Sequence, residues 1–204
     1  ALPSWFQSGN LATSALTNPL VSPFNETGTD GDPPVPIRFS GTVTTTVYRN
    51  PSNSSQFGFQ YQFAVNDTGG NDQVLRSAQL NGGWDDFVIS DVGADGSGTT
   101  SASGNPRFIY RSSVSPETVF LMFDPGVVGA GQTSANVFFV VNAAGFRLAS
   151  ATLTDTKLCV DANIYVPSES PTPGPVIPEP SSLALLGLAG IPLGFVAWRR
   201  RGKK

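Results

Sequence analysis

Between residues 57 and 66 the chain reads "FGFQYQFAVN", with Phe57, Phe59, Tyr61, Phe63 and Val65 at every second position and small or amide residues between them. Successive side chains of an extended chain point to opposite faces, so this period puts all five large side chains on one side; a helix would scatter them around its axis. The segment therefore folds as a strand with one face in a core. The preceding "IRFSGTVTTTVY" repeats the pattern, with Ile37, Phe39, Val43, Thr45 and Val47 on one face and Arg38, Ser40, Thr42, Thr44 and Thr46 on the other. The polar turn "RNPSNSSQ" between the two makes them a β-hairpin.

Further strands are predicted at 74–80, 87–92, 107–111, 118–123, 135–141, 146–153 and 158–166, separated by turn-forming stretches such as "NDTGGND", "LNGGW" and "DPGVVGAGQTS". Eight or nine strands with hardly any helical periodicity imply an all-β fold, an antiparallel two-sheet β-sandwich of jelly-roll or immunoglobulin-like type over residues 37–166. "VFLMF" and "NVFFVV" read as interior strands covered on both faces. Residues 1–36, with prolines at 3, 19, 23, 33, 34 and 36, read as an irregular arm with one short helical turn, fixed by Trp5 and Phe6.

The composition changes after the last strand. Six of the fourteen residues at 167–180, "PSESPTPGPVIPEP", are proline. A polyproline stalk of this length, at ~3.1 Å per residue, reaches on the order of 40 Å. Residues 183–198 then carry no charge, and counting from Pro180 gives nineteen residues, roughly 28 Å of helix and enough to cross a bilayer. The expectation is a transmembrane helix over 181–198, capped by Ser181 or Ser182, with Trp198 at the membrane interface. Arg199, Arg200 and Arg201 open a basic tail, 199–204, that places the C-terminus in the cytoplasm and the sandwich outside. On the helix, Gly187, Gly190, Gly194 and Ala197 fall within an arc of about 80°. Such a stripe of small residues lets the helix of another membrane protein approach closely.

The tripartite order Pro178-Glu179-Pro180, apolar stretch and Arg199-Arg200-Arg201 resembles the PEP-CTERM sorting signal of Gram-negative bacteria. That resemblance implies export and recognition and cleavage near the Pro-Glu-Pro by an exosortase. The body, with "SGTVTTTVYRN", "FGFQYQF" and "SANVFFVVNAAGF", is similar to β-rich proteins that carry this tag, a resemblance that lends no activity. Together with the anchor, a first residue that is alanine leads to the expectation that an export leader preceded Ala1.

Composition narrows the chemistry. Without any histidine the chain cannot build a Ser-His-Asp or Cys-His site and lacks the commonest zinc ligand. The single cysteine, Cys159, cannot close an internal disulfide and reads as a half-buried strand thiol. Up to Glu169 there are 7 basic and 14 acidic residues, a net charge of −7, which disfavours nucleic acid as a partner. "NGGWDDF" is the one cluster suggestive of a sugar site, with Trp84 as an aromatic platform and Asp85 beside it. Its plainer reading is a strand entry with a packed tryptophan. Adjacent Asp85 and Asp86 cannot face each other as acid and base on one strand. "DVGADGSG" lacks acidic residues at two required positions of a calcium loop and reads as turn chemistry, as do Asp30 with Asp32 and Asp67 with Asp72. No nucleotide-binding glycine motif occurs. The expectations are no catalytic residue, no cofactor and no metal.

Two functional readings follow. The first is a non-enzymatic accessory subunit, anchored in the bacterial cytoplasmic membrane, that braces a larger photosynthetic or respiratory complex through its helix. The alternative is an exosortase-processed surface or exopolysaccharide-matrix protein with carbohydrate-binding capacity.

Overall fold

A computed structural model describes residues 6, 15–68, 73–95, 106, 108–111, 117–123 and 127–171, with the backbone only for 95 and 108. These belong to one compact unit, Ala1–Thr172. The predicted transmembrane helix, the glycine stripe, the Pro-Glu-Pro and the basic tail lie outside the described residues, as does most of the stalk. Among the described residues no helix is long and apolar enough to cross a membrane.

Among the described residues there are ten strands: β1 (Leu20–Asp30), β2 (Val35–Asn50), β3 (Asn53–Val65), β4 (Ser77–Leu80), β5 (Ile89–Asp95), β6 (Phe108–Arg111), β7 (Val119–Met122), β8 (Asn136–Asn142), β9 (Gly145–Thr154) and β10 (Cys159–Ser168). They make two five-stranded sheets, ordered β1-β2-β3-β8-β5 and β10-β9-β4-β7-β6. The pairings are antiparallel throughout. The expected all-β sandwich is therefore present, with ten strands in place of the eight or nine expected, five in each sheet.

The alternation in β3 works as its spacing requires. Phe57, Phe59, Tyr61, Phe63 and Val65 are all buried, and they meet Ala78, Leu80, Leu121, Leu153 and Ile164 of the second sheet in one core. At the β2–β3 turn, Asn50 Oδ1 accepts from the Ser52 N–H (2.9 Å) and Asn53 Oδ1 from the Ser55 N–H (3.1 Å). Asparagine thus supplies at both shoulders the local acceptor that a tight turn needs.

The structure corrects the sequence expectation at four places. Residues 20–30, expected within an irregular arm, form β1, and the sheets run from 20 to 168 instead of 37 to 166. Proline cannot donate to a ladder, but β1 is an edge strand, where Pro23 is tolerated. "VFLMF" is not covered on both faces: Val119 and Leu121 are buried, while Phe120 and Met122 are half-buried on the outer face of the second sheet. Leu75 makes only an isolated bridge to Val128 and β4 begins at Ser77. β5 begins at Ile89 and runs into the glycine-rich stretch expected as loop.

"NVFFVV" does have both faces covered. Val137, Phe139 and Val141 of β8 point into the core, while Phe138 and Val140 pack with Phe6 and Tyr48 on the outer side of the first sheet. Of the two aromatics expected to fix the N-terminal arm, Phe6 is buried there and Trp5 lies outside the described residues.

One side of the sandwich is closed by β1 and β10, where the Asn163 N–H donates to Ser22 Oγ (2.9 Å) and Lys157 pairs with Asp30. On the other side, β5 and β6 are the last strands of their sheets.

Candidate functional site

Trp84, the sequence candidate for a sugar platform, offers no ring face to a ligand. It is wholly buried, with the Phe59 ring centred 6.1 Å away and the Phe139 ring 5.2 Å away. These two rings, from β3 and β8 of the first sheet, draw it inward. Its indole N–H has no hydrogen-bond partner. Asp85 and Asp86 are exposed in the turn before β5, closed by the Phe87 N–H donating to the Trp84 carbonyl (3.3 Å). Asp86 borders a polar hollow of about 290 Å³ with Arg147 and Glu169; Asp85 does not line it. Sequence proximity thus does not become a shared site.

Cys159 is exposed, at the start of β10 on its outer face, and not half-buried as expected. Among the described residues no three potential ligands cluster to hold a metal ion.

Between β5 and β6 lies a cleft of about 210 Å³ walled by Ile89, Val92, Ile109, Val119 and Phe139. Arg111 and Tyr110 are its polar-bearing walls, and the Arg111 guanidinium already donates to the Phe87 carbonyl (2.5 Å). Its described lining residues include no serine, threonine, cysteine or lysine and no carboxylate.

The outer face of the second sheet is organised differently. Register places Tyr110 of β6 opposite Phe120 of β7, Phe120 opposite Gln79 of β4, Gln79 opposite Thr152 of β9, and Thr152 opposite Asp161 of β10. One straight row therefore crosses all five strands. At one end the Tyr110 and Phe120 rings stack, 5.2 Å between centroids and 5° between planes, with 48% of Tyr110 exposed.

Toward the other end runs a directed hydrogen-bond relay. The Thr118 hydroxyl donates to Asn81 Oδ1 (3.4 Å), Asn81 Nδ2 donates to Thr152 Oγ1 (2.9 Å), and the Thr152 hydroxyl donates to Asp161 Oδ1 (2.6 Å). Asn81 Nδ2 also reaches Ser150 Oγ (3.5 Å). Each donor in the relay is committed to the next acceptor, so the chain ends on an exposed, oriented carboxylate. Asn163 lies two positions further along the same face.

The sequence reading passed over this row. Tyr110, Phe120, Gln79, Thr152 and Asp161 sit in five separate segments, and only register assembles them. The available signal was the breakdown of inward-only hydrophobicity in "VFLMF", which places a phenylalanine on an outer face.

Residues 176–201 match the PEP-CTERM protein-sorting motif. The match contains Pro178, Glu179, Pro180, the small residues at 187, 190, 194 and 197, Trp198 and all three arginines at 199–201. The chain thus carries a signal that addresses it to the cell envelope, ahead of which stands an all-β domain. No curated protein and no solved structure matches the chain.

Proposed function

We propose that this protein is exported and processed at its C-terminus by an exosortase, and that its β-sandwich works at the cell surface or in the exopolysaccharide matrix as a non-catalytic module. The single observation that carries this reading is the sorting motif at 176–201. Its parts have physical roles in sequence. The helix over 181–198 enters the cytoplasmic membrane as a single pass, and the basic cluster at 199–204 holds its inner end in the cytoplasm. The Pro-Glu-Pro is then held at the outer surface, on an extended stalk within reach of a membrane-bound protease.

A non-catalytic role is supported by the lack of any histidine and by the hollow that Asp86 borders not being lined by Asp85. The accessory-subunit reading draws on the apolar span and its small-residue stripe, and both lie inside the sorting motif.

Mass spectrometry of the protein isolated from its native envelope tests the proposal. The expected chain ends close to Pro180 and lacks the apolar and basic residues after it. An intact C-terminus with stoichiometric membrane partners would overturn processing and establish the accessory subunit in its place. Substituting Glu179 and both flanking prolines by alanine is expected to leave the full-length chain in the cytoplasmic membrane.

A further inference from the structure

We infer that the outer face of the second sheet, from the stacked Tyr110–Phe120 pair to Asp161, is a binding face for a neutral polysaccharide chain. The inference rests on the surface location proposed above for its biological setting, but its geometry stands without it.

Three features on this face correspond to what a sugar chain offers. A pyranose has one face of C–H groups, which packs on an aromatic ring, and a rim of hydroxyls, which need acceptors and donors fixed in direction. The half-exposed Tyr110 ring, backed by Phe120, supplies the first. The relay Thr118 to Asn81 to Thr152 to Asp161 supplies the second, because Thr152 spends its proton on Asp161 and leaves that carboxylate as a directed acceptor. A hydroxyl that donates to a carboxylate makes a charge-assisted bond, roughly twice as strong as a neutral one. Asn163 and Gln79 add amide groups along the same face, and amides both donate and accept.

Dimension and charge narrow the ligand further. Four strand steps separate Tyr110 from Asp161, ~19 Å at the usual strand spacing. The row is therefore long enough for several sugar rings, and a free monosaccharide would leave most of it empty. It carries one carboxylate and no cation, on a body whose net charge up to Glu169 is −7. An anionic polymer such as a uronate would be repelled on approach, so the fitting ligand is uncharged.

The pairing of Tyr110 with Phe120 also stabilises two neighbouring strands, and the test must separate that from binding. Affinity electrophoresis of the full-length chain in mild detergent, through gels containing soluble β-glucan, amylose or dextran, with alginate as the charged control, does so. The expected result is retardation by at least one neutral polymer and none by alginate. Tyr110→Ala and Asp161→Asn should each weaken it at least about ten-fold, while both variants keep the thermal midpoint of the parent within a few degrees. Asp161→Asn retains size and surface placement, so it reads the charge-assisted bond even if Tyr110→Ala proves poorly folded. No retardation by any neutral polymer, retardation untouched by both substitutions, or a face occupied by self-association that Tyr110→Ala abolishes would each overturn the inference. Processing without binding would remove the saccharide face and leave the surface assignment standing; binding by a chain that is never processed would do the reverse.

Discussion

The Tyr61 hydroxyl, in the middle of β3, donates to the main-chain carbonyl of Tyr165 in β10 at 2.5 Å and so links the two sheets through the core. Tyr61 is fully buried, and desolvation holds its phenol well above the ordinary value of 10.0. Tyr61→Phe keeps the ring and deletes the inter-sheet bond, so a loss of about 1–2 kcal/mol is expected in urea denaturation at neutral pH. The pH dependence has a definite sign. Above pH 10 the unfolded chain releases the Tyr61 proton while the folded chain retains it, so stability is full below pH 10 and is lost as pH rises toward the folded value. The phenylalanine variant lacks that component, so the gap between parent and variant should narrow from pH 8 to pH 11. A gap that stays constant would mean that Tyr61 is not shielded from water.

Trp84 and Asp85 are neighbours in sequence with opposite roles, and their substitutions separate cleanly. Trp84→Ala removes a ring enclosed by Phe59 and Phe139 and is expected to cost about 3–5 kcal/mol. Asp85→Ala removes an exposed turn side chain and should stay within ~0.5 kcal/mol of the parent. Chemical denaturation of both variants checks this. Loss of polysaccharide binding in Trp84→Ala would report unfolding, which is why Tyr110 and Asp161 are the informative positions.

Legibility in the sequence followed burial. β3 could be read because all five of its large side chains face one core, and the period-2 signal has no competitor there. β1 could not, because an edge strand buries little: only Phe24 among its apolar side chains is buried, and Pro23 argues locally against any strand. The sorting signal was legible because its parts are contiguous and act in order. The saccharide face was not, because its five residues come from five strands and their alignment depends on register, which short-range pattern does not encode. Trp84 shows the converse failure: a tryptophan next to two aspartates resembles a site in one dimension and is core in three.

The β9–β10 turn depends on one buried carboxylate. Asp155 Oδ1 accepts from the Leu158 N–H (2.5 Å) and from the Lys157 N–H, closing the turn that sets the register of the whole β9–β10 pair. Asp155→Ala is expected to cost about 1–3 kcal/mol, since two turn donors lose their acceptor. Asp155→Asn keeps an oxygen in the same place and should recover most of that loss. Hydrogen exchange at Lys157 and Leu158 gives the local readout: faster exchange in the alanine variant, near-parental exchange in the asparagine variant. Equal loss in both would show that the negative charge, and not the acceptor geometry, holds the turn.

Gly58 and Phe6 test whether the N-terminal segment is part of the fold. Gly58 sits in β3 on the outer side of the first sheet, and a Cβ there would lie 2.6 Å from two ring carbons of Phe6. The glycine is thus explained by the ring above it, which in turn packs edge-on against Tyr48 and Phe138 at 5.3 and 5.1 Å. Gly58→Ala should displace the ring at a cost of about 1–3 kcal/mol. Phe6→Ala should cost about 3–5 kcal/mol by emptying the same place. The decisive measurement is the double variant. With the ring gone a methyl at 58 has room, and alanine in a strand is favoured over glycine by roughly 0.5–1 kcal/mol, so Gly58→Ala becomes neutral or stabilising in the Phe6→Ala background. The change of sign distinguishes direct contact from two independent defects. Purely additive costs would mean that Phe6 does not rest on Gly58 and that the outer face of β8 is covered by something else.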